Sequence, residues 1–157
     1  MHIPMKAPLR SIALMTAALV VPQAVAGPVA AGSAWDERGD SRRTTTFVCR
    51  EDPSGEIRGF ARMVFTDPTH PDYFIAITSV ATLADGAVCM AGALMGTGET
   101  FFFAVRDNGA GPAHRDEVSN ILIGPPGLTA QAIVDFIGGS IPPEQWNTVS
   151  GGEVKTF

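Results

Sequence analysis

The chain has 157 residues, 45% of them hydrophobic, and carries 11 basic against 16 acidic side chains for a formal charge of −5. One domain with a core of its own is the default at this length. An acidic chain repels nucleic acid and anionic membrane, which argues against both as partners.

The start of the chain has the parts of a secretory leader. Lys6 and Arg10 stand among no acids, 11–21 is an unbroken weakly apolar run, and Ala24-Val25-Ala26 puts small residues at −3 and −1 before Gly27. The apolar run is eleven residues long, whereas about 20 are needed to cross a bilayer. The expectation is therefore a signal peptide over 1–26, cleavage near Ala26, and an exported protein, extracellular or periplasmic, with no membrane span. Without its leader the chain keeps 131 residues and a formal charge of −7.

Residues 27–43 are small, polar and charged, with Trp35 as the single large apolar residue, and show no period of 2 or 3.6. They read as a loose N-terminal arm. A single β-rich domain is expected over 44–157. Its runs are 44–50, 59–66 (Ala61, Met63 and Phe65 on one face), 73–83, 88–94, 100–106 and 117–123. Turn residues separate them: Asp52-Pro53-Ser54-Gly55, the Pro68 and Pro71 loop, Asp85-Gly86, Gly96-Thr97-Gly98 and Asp107-Asn108-Gly109. Farther on, Leu128, Ala132, Ile133, Phe136 and Ile137 make a helical stripe that Gly138-Gly139 would end. A last hairpin arm is expected around Gly151-Gly152. The fold class is all-β, an antiparallel sandwich or barrel of six to seven strands with one short helix near the C-terminus.

Cys49 and Cys89 remain after export, and an even cysteine count in an exported chain reads as a disulfide. Closing that loop would contribute about 4 kcal/mol by chain-entropy arithmetic. Simple up-and-down strand order puts both at the same end of the sheet, so the bridge is feasible.

The run Thr100-Phe101-Phe102-Phe103-Ala104-Val105-Arg106-Asp107-Asn108-Gly109, with Gly111 and Asp116 after it, resembles a pattern in secreted and cell-surface bacterial proteins. In these, a Thr-Phe-rich strand enters an Asp-Asn-Gly turn and another strand follows. The similarity extends from about residue 57 to 157, and Ser150-Gly151-Gly152-Glu153-Val154 looks like the module's closing strand. The segment 128–146 looks like an insertion. The resemblance implies an all-β extracellular module with no assigned activity.

Two groups of side chains could carry chemistry. Asp67, His70 and Asp72 share a proline-bounded loop and could hold a metal, although a solvated turn explains the same residues. Asp107, Asn108, Asp116 and Glu117 concentrate oxygen donors around one loop, and calcium is the ion such donors would take. Turn formation accounts for Asp-Asn-Gly as well, and the spacing fits no known calcium repeat. The three phenylalanines could offer an aromatic platform to a glycan or peptide, but alternation sends Phe101 and Phe103 one way and Phe102 the other, which favours core packing. No Gly-x-Ser-x-Gly or other nucleophile with a base is evident. The preferred reading is a secreted, non-catalytic module that binds an extracellular protein or glycan or gives structural support. The alternative is a small hydrolase using Asp67, His70, His114 and Asp116. His70 and His114 fall in loops at opposite ends of an up-and-down sheet, which weighs against it. No cofactor is expected beyond the calcium.

Overall fold

The computed structural model describes residues 27–110 and 115–157; the expected leader at 1–26 and His114 lie outside the described residues. Ten strands form one antiparallel sheet: β1 (Gly27–Arg38), β2 (Ser41–Glu51), β3 (Ile57–Phe65), β4 (Tyr73–Thr82), β5 (Val88–Leu94), β6 (Thr100–Arg106), β7 (Glu117–Ser119), β8 (Leu122–Gly124), β9 (Trp146–Thr148) and β10 (Gly151–Thr156). A helix, α1 (Ala130–Phe136), lies between β8 and β9. No helix among the described residues is long and apolar enough to cross a membrane.

The order across the sheet is β10-β1-β2-β3-β4-β5-β6-β7-β9, with β8 also on β6. The first and last strands of this order are joined by only Val149 and Ser150, so the sheet must curl into a half-barrel. The antiparallel all-β class is the expected one, but the sheet is an open half-barrel and the strands among the described residues number ten rather than six to seven. Part of the excess is the segment 27–43, read as a loose arm. It is instead β1 and the start of β2, joined at Gly39-Asp40 with Gly39 at φ 60°. Its inward residues are small because its neighbour is large: Gly32 pairs with Phe47, and a Cβ at Gly32 would stand 2.9 Å from the Phe47 ring.

The expected run 117–123 is two strands on the same partner. β7 pairs with Val105 and Arg106, β8 with residues 100–102. Between them the chain bulges, and the Ser119 hydroxyl accepts the Ala104 amide at 2.8 Å in place of a ladder carbonyl.

Alternation sorts the side chains into two cores. The concave face buries Phe47, Cys49, Met63, Ile75, Ile77, Met90, Phe101 and Phe103, with Phe47 and Phe103 edge to face at 5.8 Å. On the convex face, Cys89, Ala91, Phe102 and Ala104 are covered by α1. The three phenylalanines therefore fill both cores, all 1% exposed or less, and offer no platform to a ligand.

The same sorting overturns the disulfide. Cys49 and Cys89 stand at the same end of the sheet, as strand order requires, but on opposite faces, Cys49 in the concave core and Cys89 beneath α1. Both are free and buried. Burial pushes both thiols up, Cys89 to about 12.

The helix starts at Thr129, whose hydroxyl accepts the Ala132 amide at 3.2 Å, and the Ser79 hydroxyl, beside a β4 register shift, accepts the Ala130 amide at 2.9 Å. Gly138 and Gly139, at φ 71° and 80°, end it. These anchors turn Ala130, Ile133 and Val134 inward. Of the expected stripe, Ile133 is buried, whereas Leu128 and Phe136 are exposed, Phe136 by 90%.

Candidate functional site

Register sets which loops meet. The β1–β2 turn, the β3–β4 loop and the segment after β7 all come to one end of the half-barrel, the mouth. Residues 107–110 and 115–116 come to the other end, the base.

The mouth rests on a buried charge network. In β2, Arg43 is in phase with inward-facing Thr45, Phe47 and Cys49, and its side chain is fully buried. Its Nε donates to Asp36 Oδ2 at 2.8 Å and its Nη1 to the Ser119 carbonyl at 2.8 Å. The Arg43–Asp36 ion pair is 2.7 Å long. Desolvation outweighs Asp36 and pushes the Arg43 guanidinium down to about 10. Arg38 Nε donates to the other Asp36 oxygen at 2.9 Å, and its Nη2 to Asn120 Oδ1 at 2.7 Å. Asn120 in turn donates to Gln145 Oε1 at 2.8 Å and accepts Asn147 Nδ2 at 3.0 Å. The Arg38 fork and the amides of Asn120 and Gln145 are thus held in fixed orientations before any ligand arrives.

The opposite wall is the β3–β4 loop. The Ser41 hydroxyl accepts the Asp67 amide at 3.2 Å, which moors the loop to the β1–β2 turn. Asp67 Oδ1 accepts the Thr69 amide at 2.9 Å and the Thr69 hydroxyl at 2.7 Å. The Thr69 amide first, then the Thr69 hydroxyl and His70, holds the Asp67 carboxyl below its usual range. His70 Nδ1 lies 3.2 Å from Asp67 Oδ2, and its ring stacks on Phe65 at 5.2 Å. Phe65 meets Tyr73 edge-on at 6.0 Å, and Tyr73 leans on buried Phe101. Asp72 takes no part: it pairs with Arg62, which faces outward from the sheet, at 3.2 Å.

Between these walls lies a cavity of about 880 Å3. Arg38, Asn120 and Gln145 line one side, Phe65, His70 and Tyr73 the other, with Ile121 and Ile123 between. An apolar cavity of about 480 Å3 adjoins it across Ile123, between β8 and α1, lined by Leu122, Leu128 and Phe136.

At the base, the four oxygen-bearing residues are engaged in structure. Asp107 accepts the Gly109 amide at 2.9 Å and the Thr156 amide at 3.3 Å. Asp116 accepts the Asn108 amide at 3.1 Å and the Val154 amide at 2.8 Å. Asn108 Nδ2 donates to the Arg115 carbonyl at 2.7 Å, and Glu117 pairs with Arg106. These bonds join the β6–β7 end of the sheet to β10 and tie the curl together. No group of three or more His, Cys, Asp or Glu among the described residues is arranged to hold a metal ion.

Asp67 and His70 are therefore brought together, and Asp116 stands at the far end from them. Sequence reasoning missed Asp36, Arg38, Arg43, Asn120 and Gln145. One signal for Arg43 was present: it shares the inward phase of Phe47 and Cys49. The chain matches no family model, no curated protein and no solved structure.

Proposed function

We propose that this is an exported, non-catalytic β-module that acts by binding, with the mouth of the half-barrel as its ligand site. The leader-like residues 1–26 support export; N-terminal sequencing of secreted material should begin at Gly27, and a start at Met1 would overturn that part. The likeness of 100–116 to bacterial extracellular modules points the same way.

The observation that carries the binding role is the Arg43–Asp36–Arg38 network under the mouth. Burying a guanidinium costs several kcal/mol that an apolar residue of similar size would not. Here that cost orients Arg38 and Asn120 toward an open cavity, which is what a recognition surface needs. A thermal-shift screen across neutral, anionic, cationic and apolar small molecules tests it. At least one class should raise Tm in the native protein and fail to do so with Gln145→Ala. If no class does, the mouth is not a ligand site.

A second reading is favoured by one contact, the His70–Asp67 pair at 3.2 Å. It is two members of a nucleophile-base-orienter set. The hydroxyls beside it, Thr69 and Ser41, are engaged with Asp67 itself. Hydrolysis of chromogenic esters or glycosides that is abolished by His70→Ala would establish the hydrolase instead.

A further inference from the structure

We infer that the ligand of the mouth is a neutral saccharide; this rests on the binding role proposed above and adds the chemical class. Charge narrows the choice first. Among the described residues the one guanidinium that lines the cavity, Arg38, is already paired with Asp36 at 2.9 Å. Two carboxylates, Asp40 and Asp67, share the lining with it. A phosphate, sulfate or carboxylate ligand would meet more negative than positive charge. A cation fares little better, because Asp40 is exposed to solvent, Asp67 is committed to Thr69 and His70, and Arg38 stands opposite.

The lining is also too polar on one side for a hydrocarbon and too aromatic on the other for a bare polar solute. Phe65, Tyr73 and Ile121 give an apolar surface. Arg38, Asn120 and Gln145 bring polar groups to the same lining, and Tyr73 adds a hydroxyl. A sugar ring has this division: a C–H face that packs on aromatic rings and a rim of hydroxyls that both donate and accept. Fixed planar groups suit it, because a guanidinium or amide held in place by Asp36 and Asn120 loses little entropy on meeting vicinal hydroxyls. The volume lies within the roughly 300–1,000 Å3 of small-ligand pockets.

The exposed aromatics on the outer wall offer no comparable arrangement. Phe60 and Phe74 lie on the convex sheet surface with Arg62 over Phe74, and neither lines the mouth cavity. They serve as an internal control.

The test is calorimetric titration of the secreted protein with four neutral probes: cellotetraose, chitotetraose, maltotetraose and mannotetraose. An oligogalacturonate and spermine are the charged comparators. At least one neutral probe should bind. Gln145→Ala, His70→Ala and Tyr73→Phe should each weaken it about tenfold. Phe60→Ala should leave it unchanged. Circular dichroism melts check that each variant is folded. Binding of only the oligogalacturonate or spermine, with loss in Gln145→Ala, would overturn the saccharide and leave the binding role standing. Neutral binding that survives the mouth variants and is lost in Phe60→Ala would move the site to the outer wall and overturn the inference. No binding of any neutral probe also overturns it, and the thermal-shift screen then decides whether the binding role falls with it.

Discussion

The Asp116 carboxylate receives the Val154 amide at 2.8 Å, so a residue ahead of β7 holds a strand thirty-eight positions later. Since β9 and β10 do not pair with each other, this bond and its neighbours do the work that a closing ladder does in a full barrel. Asp116→Ala should destabilise the protein by about 2–3 kcal/mol in urea unfolding, because it removes two charge-assisted acceptors from partly buried amides. If the same oxygens held calcium, millimolar calcium would raise Tm over chelator by several degrees. With the carboxylates engaged by amides, the two melts should coincide.

Arg43→Met should cost about 3–5 kcal/mol, since Asp36 would keep its buried charge with only Arg38 for a partner. The double variant Arg43→Met, Asp36→Leu should recover part of the loss. With Asp36→Leu as the second single variant, a loss in the double equal to the sum of the two single losses would show that the pair is not coupled.

Both cysteines should be titrated as thiols when the protein is unfolded without reductant, and neither should react in the native state at about pH 8. A single disulfide would leave none. The Cys89 thiol also carries a pH signature. Its folded value of about 12 lies above the usual 9.0, so its contribution to stability is complete below 9.0 and lost as pH rises toward 12. Cys89→Ala should flatten the alkaline limb of a stability-pH curve.

The helix offers a contrast between adjacent turns. Ile133→Ala should cost about 2–4 kcal/mol, since it opens a void in the core beneath α1. Phe136→Ser, on a side chain 90% exposed, should stay within about 0.5 kcal/mol. Chemical denaturation of the two variants separates them.

In the β3–β4 loop, the Asp67 carboxyl is depressed, so the loop's capping bonds persist above the usual 3.8 and fail as pH falls through the lower, folded value. The Thr69 amide resonance should therefore titrate with a midpoint below 3.8. A midpoint at or above that value would mean that Asp67 does not cap the loop in solution.

Much of this architecture is local chemistry and could be read from the chain. Alternation in 59–66 and 100–106 puts Met63, Phe101 and Phe103 on one face wherever the strand goes. Asp85-Gly86 and Asp107-Asn108-Gly109 turn the chain because Gly86 and Gly109 accept positive φ, 85° and 83°. Thr129 and Gly138 bracket a helix for equally local reasons.

What sequence could not give depends on partners far away. The strand β1 carries Ala30, Gly32 and Ala34 inward because Phe47 fills the space opposite, so its apolar signal lies in another segment. The cysteines share an end of the sheet by strand order, but the face each takes follows from register, which a one-residue shift reverses. The mouth draws Arg38, His70, Asn120 and Gln145 from four separate stretches. None is unusual where it stands; curling of the sheet brings them around one cavity, and the burial of Arg43 beside Asp36 holds Arg38 in its place there.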